Sequence, residues 1–287
     1  MLAQNWKGIG MEVRYAPNDE AYQRMTTAEL RRSFVVDNLF APNAITMMYS
    51  DVDRVIVGSA VPVGTPLKLE SSKKEMAADF FAERREIGII NIGGEGKIRI
   101  DGTGYAMTFR DLLYVGRGVR EIECASLDAN RPALFYFVSY PAHAAYPVVH
   151  ARFNDSSKSP LGSSHNANAR TITKYVHAEG IKSSQLVMGL TELNDGSVWN
   201  TMPSHTHQRR TEVYLYFGLD EESLVVHLMG KPNETRALIL RNQQAVISPP
   251  WSIHSAAGIR NYSFIWAMGG ENQEFSDMDA VSMKELL

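Results

Sequence analysis

One cysteine, Cys124, is present in 287 residues. No disulfide can therefore form within the chain, and the small disulfide-stapled scaffolds of secreted proteins are excluded. Cys124 sits in an apolar run, 122–125, where a thiol serves as a small buried packing group. A large excess of either charge is missing too. The net charge is −3, which leaves no electrostatic footprint for nucleic acid or an anionic membrane. No apolar stretch approaches the ~20 residues that span a bilayer. Residues 1–11 lack the apolar segment and small-residue cleavage site of a secretory leader. The expectation is a cytoplasmic protein. Helical periodicity is scarce as well. Thr27–Phe34, opened by a capping Thr26, and the acidic stretch 277–286 are the best helix candidates.

What is present is strand pattern. Apolar residues make up 44% and charged residues 21%, an ordinary globular balance with enough chain for a substantial core. Strand character appears at 44–49, 53–57, 86–92, 96–100, 112–115 and 133–138. It returns at 186–193, 213–217, 223–229, 236–240, 244–247 and 263–268. Turn signals such as Gly93-Gly94 and Asp101-Gly102 separate these runs. Short strands at a spacing of roughly 8–12 residues imply a sandwich or barrel, an all-β fold with a few short helices, rather than βαβ units. The Ser- and Asn-rich stretch 153–169 reads as a linker or long loop between an N-terminal unit, 1–152, and a C-terminal unit, 170–287.

The two halves share an order of motifs. Residues 83–90 resemble 208–215 with one inserted residue, and 112–115 line up with 246–249. This register sets Glu86 in the place of Glu212. The first half has no histidine where the second has three, so its role is structural or in assembly.

Those histidines carry the chemistry. His205 and His207 alternate by two, so on extended backbone both face the same way. Glu212 follows five positions later, and strict alternation would turn it away, so a turn or bulge must lie within 208–211. His254 follows Pro249-Pro250 and would arrive from a neighbouring strand. Grouping three imidazoles and a carboxylate in an interior is costly unless they share a cation or a hydrogen-bond network. Three neutral nitrogens and one hard oxygen suit Zn²⁺, Fe²⁺, Mn²⁺, Co²⁺ or Ni²⁺, and no thiolate is near to make a structural zinc site.

This spacing looks like the two cupin motifs. A closer similarity covers nearly the whole chain. The strings ERREIGIINI (83–92), NTMPSHTH (200–207), 209–217, AVISPPWSIHS (245–255) and FIWAMGGENQ (264–273) resemble the 5-keto-4-deoxyuronate isomerase family of bacterial pectin breakdown. The resemblance implies a bicupin of two tandem antiparallel jelly-roll barrels and a homo-hexamer. It implies one zinc ion per subunit, held by His205, His207, Glu212 and His254. It also implies interconversion of 5-dehydro-4-deoxy-D-glucuronate and 3-deoxy-D-glycero-2,5-hexodiulosonate.

Such a reaction needs a base near C2, and Glu192, Lys174 and Tyr175 are candidates. An anionic substrate needs a cation, and a guanidinium pairs carboxylate oxygens two at a time. Arg170, Arg209, Arg210 and Arg236 are nearest in sequence, with Arg209 and Arg210 unable to face the same way. Trp199, Met202 and Trp251 flank the ligand segments as candidate pocket walls, whereas Trp266 is expected to fill core and His227 to be a hydrogen-bonded interior histidine. Three rival readings stand beside this one: the 5-deoxy-glucuronate isomerase of inositol breakdown, a cupin Fe(II) dioxygenase, and a non-enzymatic bicupin.

Overall fold

The computed structural model describes residues 11–287, so all but the last residue of the 1–11 segment lies outside the described residues. The chain builds two large and two small sheets. The first large sheet runs Glu12–Arg14, Ala44–Ser50, Ile56–Val61, Phe135–Pro141, Arg85–Asn91, Leu112–Val115 and Val149–Ala151. Its small partner runs Leu67–Lys68, Ile122–Ser126, Gly96–Ile100 and Thr103–Met107. The second large sheet runs Lys158–Leu161, Arg170–Val176, Val187–Leu193, Ser263–Gly270, Arg210–Phe217, Ala245–Ser248 and Val35–Val36, and its small partner Trp199–Asn200, Ile253–Gly258, Val225–Lys231 and Glu234–Leu240. The five inner strands of the two large sheets and the four strands of the two small sheets follow the same order, which is the structural form of the repeat. Among the described residues no sheet closes on itself, so each expected barrel is an open sandwich of a large and a small sheet.

The two large sheets lie back to back. Gly96–Ile100, in a small sheet, alternates buried and exposed residues, as a strand with one wet face must. Arg85–Asn91 and Arg210–Phe217 are buried at every position, because each large sheet is covered on both faces. Tyr114, Tyr136, Val138, Met188, Leu190, Val213 and Ile265 fill the layer between the large sheets. Contact there is close: a Cβ on Gly88 would lie 2.4 Å from the Met188 sulfur. Each sandwich has its own interior, built around Ile87, Ile89 and Phe135 in the first and Tyr214, Phe264 and Trp266 in the second.

The ladders correct the repeat register by one residue. Arg85 pairs with Pro141 and Arg210 with Gly270 at the start of equivalent strands. Counting on, Glu86 corresponds to Thr211, and Ile87 to Glu212. Ile87–Val115 and Glu212–Ser248 close the neighbouring ladders in the same way. Glu86 therefore faces the layer between the sheets. There its carboxylate accepts the backbone N–H groups of Ser184, Gln185 and Leu186 and the Tyr114 hydroxyl.

Thr27–Phe34 is a helix with the expected cap. Thr26 accepts from the Glu29 amide, and the Glu29 carboxylate accepts from the Thr26 amide at 2.7 Å. It buries Leu30 and Phe34 in the second sandwich. The expected helix at 277–286 does not form. Asp279–Ala280 pairs instead with His205–Thr206 as a two-stranded ribbon, and Arg209 ties down both Asp277 and Asp279. Tertiary pairing has overridden a weak local propensity.

We retain the unit limits 1–152 and 170–287, joined by 153–169, as a proposal. Several segments cross that division: the helix Thr27–Phe34 packs into the second sandwich, Val35–Val36 closes the far edge of the second large sheet beside Ala245–Ser248, and Lys158–Leu161 pairs with Arg170–Val176.

Candidate metal centre

Three separate elements deliver the four side chains. His205 stands on the short ribbon opposite Ala280. His207 follows, and a turn at Gln208–Arg209, closed by the Arg210 amide on the His207 carbonyl, leads into Arg210–Phe217. That turn is the break in alternation the spacing required, and it brings Glu212 round to the interior. His254 comes from Ile253–Gly258 in the small sheet, opposite Met229. The site thus lies between the sheets of the second sandwich.

The donor atoms converge. His205 Nε2 lies 3.2 Å from His207 Nε2 and 3.0 Å from His254 Nε2. Glu212 Oε2 lies 2.9 Å from His207 Nε2 and 3.0 Å from His254 Nε2. One ligand atom from each of the four falls within 4.8 Å of all the others. His207, Glu212 and His254 are buried and His205 is half-buried.

The hydrogen bonding shows that this set fits a cation. His207 Nδ1 lies 2.7 Å from the Asp277 carbonyl, an acceptor, so Nδ1 carries the proton. The neutral ring then presents a lone pair at Nε2, aimed at the Glu212 carboxylate and at a second imidazole. Lone pairs facing one another at these separations repel unless a positive charge sits among them. Among the described residues this is the one grouping of His, Cys, Asp and Glu able to hold a metal ion.

The electrostatics favour ligand-ready protonation states. Burial, with the adjacent His254, pushes His205 down to about 2. Burial pushes His227, off the cluster with its Nδ1 2.8 Å from the Tyr216 hydroxyl, down to about 3. Burial alone would raise the Glu212 carboxyl, but His254 and His207 outweigh it and hold it well below the usual range. Unfolded histidine titrates near ~6.5, so below that pH the unfolded chain binds more protons than the folded one. Stability of the metal-free protein is therefore expected to be full above pH ~6.5 and to fall as pH drops, by about 1.4 kcal/mol per pH unit for each of His205 and His227. The check is the urea midpoint of chelator-treated protein against pH; a midpoint constant from pH 7 to 5 would refute it.

A cavity of about 290 Å³ opens onto the cluster. Its wall is mostly apolar: Leu161, Ile172, Met202, Pro203, Phe264, Trp266, Met268, Phe275 and Met278. Arg170, Thr191, Thr201 and Tyr214 add polar groups. The Tyr214 hydroxyl lies 2.9 Å from Thr201 Oγ1, and its ring stands edge-on to His254. Burial, with Glu212 nearby, pushes this phenol well above its ordinary range, so it stays protonated.

The structure separates the other sequence candidates. Arg170 lines the cavity, with Nη1 donating to the Asn168 carbonyl. Arg209 does not line it; it is forked onto Asp277 and reaches Asp279. Arg210 is fully buried and donates to the carbonyls of Glu274 and Asp277. Arg236 grips the carbonyls of Gln23 and Met25 near the helix Thr27–Phe34. Glu192 follows cavity-lining Thr191, so it faces the other side of its strand, where it pairs with Arg110. Tyr175 donates to the Arg110 carbonyl from the layer between the large sheets. Lys174 lies over the ring of Phe275, outside the wall. Met202 lines the cavity, Trp251 stacks on Tyr22 at 4.6 Å, and Trp199 sits in the small sheet opposite Ala257. Trp266 is in the core, as expected; it also lines the cavity and donates from Nε1 to Thr191.

Sequence reasoning missed Tyr214 and Thr191. Alternation could have found Tyr214, two positions after Glu212. Phe275 and Met278 gave no signal, because they come from an irregular segment.

The comparisons with known proteins agree with this geometry. A family model described as the KduI/IolB family matches residues 38–284. The 4-deoxy-L-threo-5-hexosulose-uronate ketol-isomerase of Caldicellulosiruptor bescii is 52% identical over 96% of this chain and 100% of its own length. The protein of the same name from Pectobacterium carotovorum subsp. carotovorum is 47% identical over the same shares. Among solved structures, an IolB-like protein from Salmonella typhimurium LT2 superposes with a TM-score of 0.68 at 12% identity, covering 86% of this chain and 96% of that one. Bacillus subtilis oxalate decarboxylase gives 0.57 at 11% identity, covering 87% and 77%. At these identities the two structures speak for the cupin-like fold alone.

Proposed function

This chain belongs to the KduI/IolB family, and from that membership we infer that it is a 4-deoxy-L-threo-5-hexosulose-uronate ketol-isomerase working at the cluster of His205, His207, Glu212 and His254. The observation that carries the assignment of the site is the convergence of four donor atoms, from residues three of which line a cavity, in a chain about half identical to enzymes of that name over nearly its full length. The inositol-pathway isomerase and the Fe(II) dioxygenase readings are not favoured, since the relatives near 50% identity carry the ketol-isomerase name.

The reaction proposed for the site interconverts 5-dehydro-4-deoxy-D-glucuronate and 3-deoxy-D-glycero-2,5-hexodiulosonate. The carbonyl moves between C1 and C2. A proton leaves C2 and another leaves the hydroxyl on C2, negative charge develops on both oxygens, and protons arrive at C1 and at the oxygen on C1. A divalent metal held by the four ligands would supply Lewis-acid stabilisation of that charge. The apolar wall excludes water, which strengthens each electrostatic contact inside. Proton exchange needs a group facing the cavity. Tyr214 and Glu212 face it, while Glu192, Lys174 and Tyr175 stand outside it.

We assign the substrate carboxylate to Arg170. Of the four candidate arginines it alone lines the cavity, and one N–H is used on Asn168. Its remaining N–H groups make no hydrogen bond to protein among the described residues. Arg170→Ala is expected to raise KM roughly 10- to 100-fold, the loss of a charge-assisted pair, with metal content unchanged. An unaltered KM in steady-state assays rejects the assignment.

Zn²⁺ as the resident metal, a homo-hexameric assembly, a cytoplasmic location and a place in pectin degradation complete the proposal. They rest on the family resemblance. The location is further supported by the single, buried Cys124 and by the lack, among the described residues, of a helix long and apolar enough to cross a membrane. The test of the whole is turnover of the keto-uronate by purified protein with its metal content measured. Stripping the metal should stop turnover and leave the fold; undiminished activity without metal rejects the mechanism.

A further inference from the structure

We propose that Asp277, clamped by Arg209, is a positioning residue for the metal ligand His207, so that the irregular segment 272–279 braces the histidine pair from behind. The inference rests on the reading of the cluster as a metal site.

The turn that follows His207 grips one residue from two directions. Arg209 ends the turn and Arg210 opens the strand Arg210–Phe217, and the two reach Asp277 at different atoms. Arg209 forks onto the Asp277 carboxylate, with Nε 2.8 and 2.9 Å from its two oxygens, and reaches Asp279 at 2.9 Å. Arg210, fully buried, donates from Nη2 to the Asp277 carbonyl at 2.8 Å and to the Glu274 carbonyl at 2.6 Å. Asn272 adds a bond to the Asp277 carboxylate at 2.6 Å.

The held carbonyl is the one that His207 uses. Its 2.7 Å contact with Nδ1 fixes both the tautomer and the ring direction. Two residues further on, Asp279–Ala280 pairs with His205–Thr206. The same segment therefore supports both histidines of the pair. Apart from that ribbon it has no strand or helix to hold it, so side-chain bonds set its position. By contrast, His254 Nδ1 has no hydrogen-bond partner. Orientation by an outer bond is thus not common to all the ligands, and the His207 brace is a specific feature.

Asp277→Ala leaves the carbonyl and its bond from Arg210 but removes the carboxylate that Arg209 and Asn272 hold. The experiment titrates metal-free protein with Zn²⁺ against a competing chromophoric chelator. It also records the visible spectrum of the Co²⁺-loaded protein. Asp277→Ala and Arg209→Ala are each expected to raise the Zn²⁺ Kd on the order of 10- to 100-fold. Arg209→Lys, which keeps charge but loses the fork, should fall between them and the parent. The double variant should be no worse than the poorer single one, because both break one link. The Co²⁺ spectrum should change in the variants, and kcat at saturating metal should recover to within a few-fold, since neither residue touches substrate.

Unchanged Kd and Co²⁺ spectra in both single variants overturn the proposal. So does a fall in the thermal midpoint of the metal-free protein that tracks the loss of affinity, because the effect is then on the fold. If Asp277→Ala does not fold, Asp277→Asn, which keeps the shape and loses the charge, decides in the same way on a smaller scale. The unmodified protein is the control for the underlying reading. If it binds no metal, that reading fails, whereas tight binding by parent and variants alike defeats only the brace.

Discussion

His254→Ala is expected to strip the metal and reduce kcat by on the order of 10³-fold or more, while the protein stays folded. The fold should survive because His254 Nδ1 has no protein partner to lose. Its Nε2 meets only the other ligands, His205 and Glu212, at 3.0 Å. The catalytic loss follows from the charge that develops on two substrate oxygens. A coordinated cation stabilises such charge by several kcal/mol, and each ~1.4 kcal/mol is a factor of ten in rate. Metal analysis and steady-state kinetics on the same preparation check this. Full metal content together with parental turnover would show that His254 is not a ligand. Retained turnover after metal loss would show that the metal is not needed.

Glu86→Ala is expected to be the most damaging single change outside the metal site. The carboxylate accepts three consecutive backbone N–H groups at 2.6, 2.8 and 2.8 Å and the Tyr114 hydroxyl at 2.7 Å. All of this lies between the two large sheets, where water cannot replace the lost acceptor. Each orphaned donor costs about 1–3 kcal/mol, so about 4 kcal/mol or more of stability should go. Glu86→Gln keeps one acceptor oxygen and should lose roughly half as much. The urea midpoint of the metal-free protein measures the effect, and an unmoved midpoint for Glu86→Ala contradicts this account.

The four residues of the candidate metal cluster could be picked out in the sequence because their spacing is local. A His-x-His pair faces one way, the five-residue step to Glu212 forces a turn, and the structure puts that turn at Gln208–Arg209. Many strands were legible for a similar reason. Gly96–Ile100 and Leu112–Val115 are bounded by turn residues, and their ends agree with the pattern. Thr26 announced the helix Thr27–Phe34 through its cap. Long-range partners were hidden. Glu86 looked like the counterpart of Glu212 until strand pairing fixed the register, because an insertion of one residue exchanges the faces of a strand. Residues 277–286 were read as a helix from acidic composition, but the ribbon with His205–Thr206 claimed them. Four arginines were candidates in the sequence, and packing places only Arg170 on the cavity wall. Phe275 and Met278 reach the cavity through a segment with no period at all.

Val35–Val36 leave the ribosome long before Ala245–Ser248, the strand beside which they finally lie. The second large sheet therefore has its outer seam sewn by the beginning of the chain. Until the last strands emerge, this early segment has no mate; afterwards the half with the histidine cluster cannot be released without unpicking the start of the polypeptide. A fragment lacking residues before 37 would expose a raw ladder of amides and carbonyls along Ala245–Ser248, an invitation to pair with a neighbour.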